Sequence, residues 1–370
     1  MLLQVFLLSL ATVWSADPPA KRARVDEDTR AAARLLLDLA ATAAREPERP
    51  QRELERRIPD HLENMITLST IALVRRDENH VERSIKGHPD IRFVVYLDGP
   101  ADHTTHQGLV EAEMANRAAG FGLAAPFVAR SLPEVVTRGE WEIHGFPKRC
   151  RKTIKRMSES NFTFLRTVKV RPGDEWPVSL SESRKGLPPF SYPDALSFGI
   201  ALVQALKKLH LEANMVHGLL NPVSVLTTSG GSIMFSDFRR TELNIAGAVL
   251  HLSRRPVGAT RDNILFFAPS LWPQRMGEPF GPVTPRSDLY SALEIVNWLA
   301  WPHLYQPGGA PSVSFLKQDM KLARAYMARL RGFVAPEKIL SGLVPDQMIL
   351  SPAHYDALVY ALGAIRASVR

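Results

Sequence analysis

Residues 215–239 read MVHGLLNPVSVLTTSGGSIMFSDFR. A helix is predicted just before them, from Pro193 to His210, because aliphatic side chains recur there at helical spacing. Within the quoted stretch the polar side chains stand at fixed distances. Ser224 follows His217 by seven positions, and Asp237 follows it by twenty. The fold is predicted from the order and spacing of these features and not from any single residue.

This stretch resembles the catalytic segment of a protein kinase. That segment contains a His-Arg-Asp loop, an Asn seven residues after the His, a short hairpin and an Asp-Phe-Gly motif. Downstream, residues 267–270 (FAPS) stand where kinases have Ala-Pro-Glu. Residues 286–291 (RSDLYS) resemble the start of the large central helix, whose Asp braces the catalytic loop. Four matches in the correct order predict an α+β, bilobal protein-kinase-like fold with a strand-rich N-lobe and a helical C-lobe.

The resemblance also shows which chemical groups are missing from the loop. Leu219 stands at the place of the Asp that accepts the substrate proton, and leucine can neither accept a proton nor carry charge. Asn221 replaces the following Lys, and Ser224 replaces the Asn that binds the second magnesium. His217 is expected to be structural and to hold the loop backbone.

The Asp-Phe-Gly position is altered in one residue. Asp237 and Phe238 are present, and Asp237 could in principle hold a metal. Arg239 replaces the Gly, which adds a cation beside the metal place. We expect Arg239 to pair directly with Asp237.

The nucleotide side lacks its usual residues as well. No glycine occurs from residue 51 to residue 86, so no Gly-rich loop can approach a phosphate there. The best match to Val-Ala-Ile-Lys is residues 93–96 (FVVY), which puts Tyr96 at the Lys place. Glu111 or Glu113 would be the helix glutamate, now without its partner. The strand register on which this rests is left open by the sequence.

The chain is expected to divide into four parts. These are a signal peptide (1–15), an N-terminal extension with an amphipathic helix (16–60), a kinase-like N-lobe (61–175) and a kinase-like C-lobe (176–370). Strands are predicted at 66–74, at 91–97 with a turn at Asp98-Gly99-Pro100, and at 162–170. Helices are predicted at 108–119, 193–210, 289–298, 313–330 and 352–367.

Composition and the first residues bear on the compartment. The 370 residues are 45% apolar and 23% charged with a formal net charge of +8, which suits a soluble globular protein. The single cysteine, Cys150, excludes an intramolecular disulfide. Residues 1–14 are apolar and too short to span a bilayer, so they predict a cleavable secretory signal. A buried N-terminal helix is the alternative.

Two further segments carry weaker indications. Residues 29–45 predict an arginine-bordered amphipathic helix that packs on the main domain or, alternatively, makes a peripheral membrane contact. Asn161 begins a possible glycosylation sequon.

The signal, the arginine-rich leader and the altered loop together are similar to the rhoptry kinase family of apicomplexan parasites, several members of which are pseudokinases. The resemblance implies a secreted, catalytically inactive protein of the parasitophorous vacuole or cyst wall. Such a protein would bind or scaffold an unidentified protein partner, with no nucleotide, cofactor, metal or nucleic acid. The alternative is a residual ATP-binding or weakly active kinase that uses Asp237.

Overall fold

The computed structural model describes residues 71–76, 80–85, 87–100, 107–129, 134–135, 162–245, 248–251, 264–268, 271–272, 283–305, 335–345 and 349–369. These residues form helices and antiparallel sheets, so the chain is α+β, as the sequence predicts. The predicted signal peptide, the helix over 29–45, Asn161 and the helix over 313–330 lie outside the described residues.

The first part of the described chain is a six-stranded antiparallel sheet. Its strands are β1 (Ile71–Arg76), β2 (His80–Ile85), β3 (His88–Pro100), β4 (Phe127–Ala129), β5 (Glu134–Val135) and β6 (Phe162–Val170). They lie in the order β1-β2-β3-β6-β4, and β5 also pairs with β6. The helix α1 (Gln107–Ala119) connects β3 with β4 and confirms the helix predicted over 108–119.

The predicted end of β3 was wrong. The sequence indicated a turn at Asp98, but the strand continues to Pro100, which lies opposite Phe162 of β6. The register shifts between Leu97 and Pro100, so an irregularity within the ladder absorbs the Gly-Pro pair that usually ends a strand.

The sheet has two chemically different faces, because successive side chains of a strand point to opposite sides. Ile91 and Phe93 lie on one face with their β6 partners Val168 and Val170, and all four are buried. On the other face, Val94 is fully buried in the same core cluster as Ala112 and Ala115 of α1. Arg92 and Lys169 share that face as cross-strand partners. The α1 side of the sheet is therefore partly charged, whereas the opposite side is aliphatic and aromatic.

The rest of the described chain is mostly helical. Its helices are α2 (Leu180–Ser183), α3 (Tyr192–Leu211), α4 (Pro285–Ala300), α5 (Pro336–Leu343) and α6 (Pro352–Ser368). Single-turn 3-10 helices occur at Phe238–Arg240 and Pro302–Tyr305. Among the described residues, none of the helices is long and apolar enough to span a bilayer.

Helix starts follow the local sequence closely. At α3 the Ser191 hydroxyl accepts a hydrogen bond from the Asp194 amide. At α4, Thr284 and Ser287 form a capping box ahead of the first turn, with Pro285 at the start. Such caps satisfy amides that the helix itself leaves without partners. The Thr284 cap explains why α4 begins four residues before the predicted Leu289.

Short strands frame the loop that the sequence singles out. β8 (Met215–Val216) precedes it, and the hairpin of β9 (Val225–Thr227) and β10 (Ile233–Phe235) follows it. β7 (Val178–Ser179) pairs with β9, whereas β11 (Glu242–Ile245) pairs with both β8 and β12 (Ala248–His251). Residues 217–224 and 236–239 are thus held at the ends of paired strands.

Helix α3 forms the centre of the helical part, because it packs against both α4 and α6. The approach to α4 is very close at Gly199. A Cβ atom built there would lie 2.4 Å from Cγ2 of Val296, which is far below any normal carbon–carbon contact. Glycine at 199 therefore sets the distance between the two helices.

We expect Gly199→Ala to lower the free energy of unfolding by about 1–3 kcal/mol, since the β-branched Val296 has little rotamer freedom with which to move away. In the double variant Gly199→Ala/Val296→Ala the Cγ2 atom of Val296 is gone, so the added methyl has no close contact with it and part of this loss should be recovered. Urea unfolding followed by circular dichroism measures both effects.

Gly363→Ala in α6 is the matched control. A Cβ at Gly363 has no neighbour within 4 Å, and this change should stabilise by about 0.5–1 kcal/mol. An equal effect at both glycines would contradict the close approach.

Candidate functional site

The loop after β8 is anchored by a buried carboxylate. Asp288 of α4 is 1% exposed. Its Oδ2 accepts a hydrogen bond from the His217 amide at 2.7 Å, and its Oδ1 accepts one from the Gly218 amide at 2.9 Å. This confirms the expectation that the Asp of the 286–291 motif braces the loop. The two amides, in turn, supply the bonds that a buried carboxylate requires.

Gly218 has no acceptable substitute at this point of the loop. Its φ of +71° lies in the left-handed region. A Cβ there would lie 2.8 Å from the carbonyl oxygen of Arg240 and 3.0 Å from Cγ2 of Val283. The backbone of the loop therefore passes directly against the chain that follows Asp237.

His217 holds the loop in the way the sequence predicts. Its Nε2 donates to the carbonyl oxygen of Ser236 at 2.9 Å, and its Nδ1 accepts from the Leu219 amide at 3.2 Å. The ring is fully buried between Phe235 and Phe238, with centroid distances of 5.7 and 5.3 Å. Burial lowers the pKa of His217, although the nearby Asp288 carboxylate opposes the shift. The imidazole is therefore a neutral structural link between the loop and residue 236.

The side chains of Asn221 and Ser224 form hydrogen bonds within the loop. The Asn221 Oδ1 accepts from the amides of Val223 and Ser224, and its Nδ2 donates to the Leu219 carbonyl. The Ser224 hydroxyl accepts from the Asn221 amide and donates to the Leu219 carbonyl at 3.0 Å. Leu219 itself is 2% exposed. These side chains stabilise a turn and present neither a base nor a metal ligand to solvent.

Asp237 is held by Arg239. The Arg239 Nε lies 2.5 Å from Oδ1 of Asp237, and Nη2 lies 2.8 Å from Oδ2. This two-point pairing of a planar guanidinium with a carboxylate is a strong, directional contact. The pairing predicted from the sequence is thus confirmed. Asp237 also adopts a left-handed conformation with φ +67°, which aspartate tolerates better than most residues.

On the sheet side, three charged side chains form a second paired group. Glu82 of β2 is 3% exposed and accepts from Nη1 of Arg92 at 2.9 Å. The Nζ of Lys169 lies 3.8 Å from the other oxygen of Glu82 and over the ring of Phe127 at 5.3 Å. Two cations thus surround one buried carboxylate.

Arg92 connects this group with the segment after β6. Its guanidinium carbon lies 4.1 Å from the ring centroid of Trp176. The Trp176 indole N–H donates to the Pro89 carbonyl at 2.7 Å, which fixes the ring against the start of β3. The cation–π contact therefore joins β3 to the chain between β6 and β7.

The residues chosen from the sequence on β3 and α1 have different surroundings. Glu111 is 8% exposed and faces the cavity beside Asp237 and Lys169. Glu113 lies on the exposed side of α1. Glu111 takes part in a polar or electrostatic interaction. That Glu111 or Glu113 is the helix glutamate without its lysine partner stays a prediction. The buried β3 side chain that packs with α1 is Val94, whereas the side chain of Tyr96 lies outside the described part. The role of Tyr96 stays a prediction.

A small cavity lies between β2, β6, α1 and residues 235–238. Its volume is about 10 Å³, which is roughly the room that one water needs. Within the described ranges, no group of three or more His, Cys, Asp or Glu side chains could hold a metal ion.

Sequence reasoning missed Glu82, Arg92, Lys169 and Trp176. They belong to no motif, and their meeting depends on which residues of β2, β3 and β6 lie opposite each other. The alternation in residues 162–170 predicts that Lys169 points away from Val168 and Val170, but a pairing register is needed to bring it to Glu82.

The buried neutral His217 makes stability depend on pH. In the unfolded chain the imidazole takes up a proton below its ordinary pKa of about 6.5, whereas the folded chain resists protonation because the pKa is lowered. Stability should therefore be insensitive to this group above pH 7. It should fall as the pH drops below about 6.5, by up to about 1.4 kcal/mol per pH unit.

Chemical denaturation between pH 7.5 and pH 5 measures this loss. The variant His217→Gln keeps an acceptor for Leu219 and a donor for Ser236 but has no titratable ring. Its loss of stability between the two pH values should be smaller than that of the wild type. Identical pH profiles for the two proteins would show that His217 is not buried as a neutral group.

No protein-family model matches this chain, and no curated protein matches it either. The interpretation of the site therefore depends on the residues themselves: a braced loop without a base, an aspartate paired with arginine, and a buried glutamate between two cations on the sheet.

Proposed function

We propose that the chain is a catalytically inactive pseudokinase with a bilobal protein-kinase-like fold, and that it acts by binding or scaffolding other proteins. The order of the elements supports the fold. A sheet with α1 between its third and fourth strands is followed by the helix α3, the loop 217–224, a hairpin, Asp237-Phe238 and the helix α4 with its bracing Asp288. Protein kinases have this order of parts.

One observation carries the loss of activity: both carboxylate oxygens of Asp237 are bound by Arg239. In an active kinase this Asp holds the magnesium that bridges the phosphates. Here a guanidinium already neutralises the carboxylate, and a magnesium ion would have to displace it and lie beside its positive charge. The loop offers no compensation, since Leu219 is apolar and Ser224 is bonded within the turn.

The sequence between β1 and β2 and the buried Glu82 support the absence of nucleotide binding. Residues 77–79 read Asp-Glu-Asn and include no glycine, whereas a kinase has a Gly-rich stretch before the strand that carries its Lys. Glu82 of β2 adds a buried carboxylate that lines the cavity. A phosphate group in the cavity would meet this negative charge.

Lys169 favours the second candidate, a residual nucleotide-binding protein. Its ammonium is the kind of cation that pairs with phosphate, and it lines the same cavity as Glu111 and Asp237. The contact with Glu82 offsets that charge. Binding would require Lys169 to exchange this partner for a phosphate while Arg239 releases Asp237.

The compartment and the family are part of the same proposal. The apolar segment 1–15 supports secretion, and the altered loop supports a relationship to the rhoptry kinases of apicomplexan parasites. A secreted member of that family would act in the parasitophorous vacuole or cyst wall on a protein partner. The helix over 29–45 would then pack on the domain or touch a membrane surface.

Thermal unfolding with ATP separates the two candidates. A ligand at 100 times its dissociation constant stabilises a native protein by about 2.7 kcal/mol, and the melting temperature rises accordingly. We expect no rise for the wild type with millimolar ATP and either Mg²⁺ or Mn²⁺. A reproducible rise that Asp237→Ala and Lys169→Ala abolish would overturn the proposal in favour of nucleotide binding.

The variant Arg239→Gly tests the reason for the loss. It restores the kinase residue and frees Asp237, so Mg²⁺-dependent stabilisation by ATP should be greater than in the wild type. Arg239→Lys is the matched control, because it keeps the cation but loses the two-point pairing. If Arg239→Gly shows no more stabilisation than Arg239→Lys, the pairing of Arg239 with Asp237 is not what excludes nucleotide.

The binding role predicts that partner capture is independent of the cleft. Affinity purification of the full chain, followed by quantitative mass spectrometry, should recover the same partner with wild type and with Asp237→Ala. Added ATP should not change the yield. A partner that Asp237→Ala loses, or that ATP releases, would contradict a role based on binding alone.

A further inference from the structure

A buried chain of hydrogen bonds connects the C-terminal helix α6 with the loop 217–224. The Tyr355 hydroxyl of α6 lies 2.8 Å from Nδ1 of His210 in α3. The other ring nitrogen, Nε2, lies 3.0 Å from Oδ2 of Asp288 in α4. The Asp288 carboxylate in turn accepts hydrogen bonds from the amides of His217 and Gly218. Three helices and the loop are thus joined through one histidine.

The direction of each bond follows from the groups involved. A carboxylate only accepts, so the proton between His210 and Asp288 is on Nε2. With the imidazole neutral, Nδ1 is an acceptor, and the Tyr355 hydroxyl must donate to it. Burial raises the pKa of Tyr355, and the Asp288 carboxylate raises it further, so this hydroxyl keeps its proton. For a neutral His210 ring, the donors therefore run in one direction, from Tyr355 through His210 to Asp288.

The three side chains that form these hydrogen bonds are buried. Tyr355 is 0% exposed, His210 is 5% exposed and Asp288 is 1% exposed. Water cannot readily replace a donor that is removed, so the loss of the Tyr355 hydroxyl would leave the Nδ1 of His210 buried without a partner. The imidazole would then be free to turn, and its bond to Asp288 would weaken with it.

We propose that Tyr355 is a positioning residue that latches the loop 217–224 to α6. A displacement of α6 would break the Tyr355–His210 bond first, then loosen the carboxylate that holds the His217 and Gly218 amides. The change would reach Ser236 and Asp237 through His217, whose Nε2 binds the Ser236 carbonyl. It would also move Val223, the loop side chain that is 45% exposed.

The latch goes beyond the proposed binding role, because it depends on neither nucleotide nor partner. It gives the loop surface a built-in dependence on the docking of α6. That docking is itself sustained by the burial of Leu358 and Leu362 in the main core. A displacement of α6 would therefore change the conformation of the loop through these hydrogen bonds.

Hydrogen–deuterium exchange of the full chain, read by NMR at single amides, tests this inference. In Tyr355→Phe the ring still fills its site, but the donor is gone. The amides of His217 and Gly218 should exchange about tenfold faster, the factor that corresponds to 1.4 kcal/mol. Two controls are on the same helix. Tyr360→Phe removes a hydroxyl from a side chain that is 80% exposed, and Leu358→Val weakens packing without removing a hydrogen bond.

The inference holds if loop exchange accelerates in Tyr355→Phe and not in Tyr360→Phe, and by more than in Leu358→Val. Unchanged loop exchange in Tyr355→Phe, or an equal acceleration in Leu358→Val, would overturn it. The wild type gives an independent reading through the ¹⁵N shifts of His210. The latch requires the Nε2–H tautomer, so a neutral ring protonated on Nδ1 would overturn the inference even if a variant fails to fold.

Discussion

The rest of the site depends on one buried carboxylate, that of Asp288. A charge that is 1% exposed is tolerated only when its lone pairs are satisfied, and the loop supplies two of the necessary donors as backbone amides. The requirement acts in both directions. Asp288 needs the loop in a conformation that turns both amides towards α4, and the left-handed Gly218 makes that conformation possible. The remaining contacts of the loop follow from this arrangement.

The buried carboxylates around the cavity are paired with cations of the same chain. Isolated buried carboxylates would destabilise the fold, so each has a partner from the same chain. Arg239 binds Asp237, and Arg92 and Lys169 surround Glu82. Pairing in this way stabilises the buried carboxylates beside the cavity. Under the proposed pseudokinase function, the same contacts that replace a ligand also exclude it.

Local patterns predicted much of the fold, because the signals for α1, α3, α4, α6 and β6 lie within short stretches. Helical spacing of aliphatic side chains identified α3, and proline or a hydroxyl residue marks several helix starts. The pairing of Arg239 with Asp237 was predictable because only one residue separates them. The Glu82–Arg92–Lys169 group was not, since three strands must align before those side chains meet. The continuation of β3 through Gly99-Pro100 was missed because the pairing with β6 outweighs a local turn preference.

The residues that make this sequence resemble a kinase serve mainly to stabilise it. His217 fills a buried position between Phe235 and Phe238, and Asp288 fixes the loop. None of these contacts requires a nucleotide or a transferred phosphate. A chain with this fold would need them whether or not it catalyses a reaction. The motif is therefore strong support for the proposed fold and says little about catalysis. Under the proposed pseudokinase function, what bears on activity is the smaller set of positions at Leu219, Ser224 and Arg239, where the residue differs from that of the kinase motif.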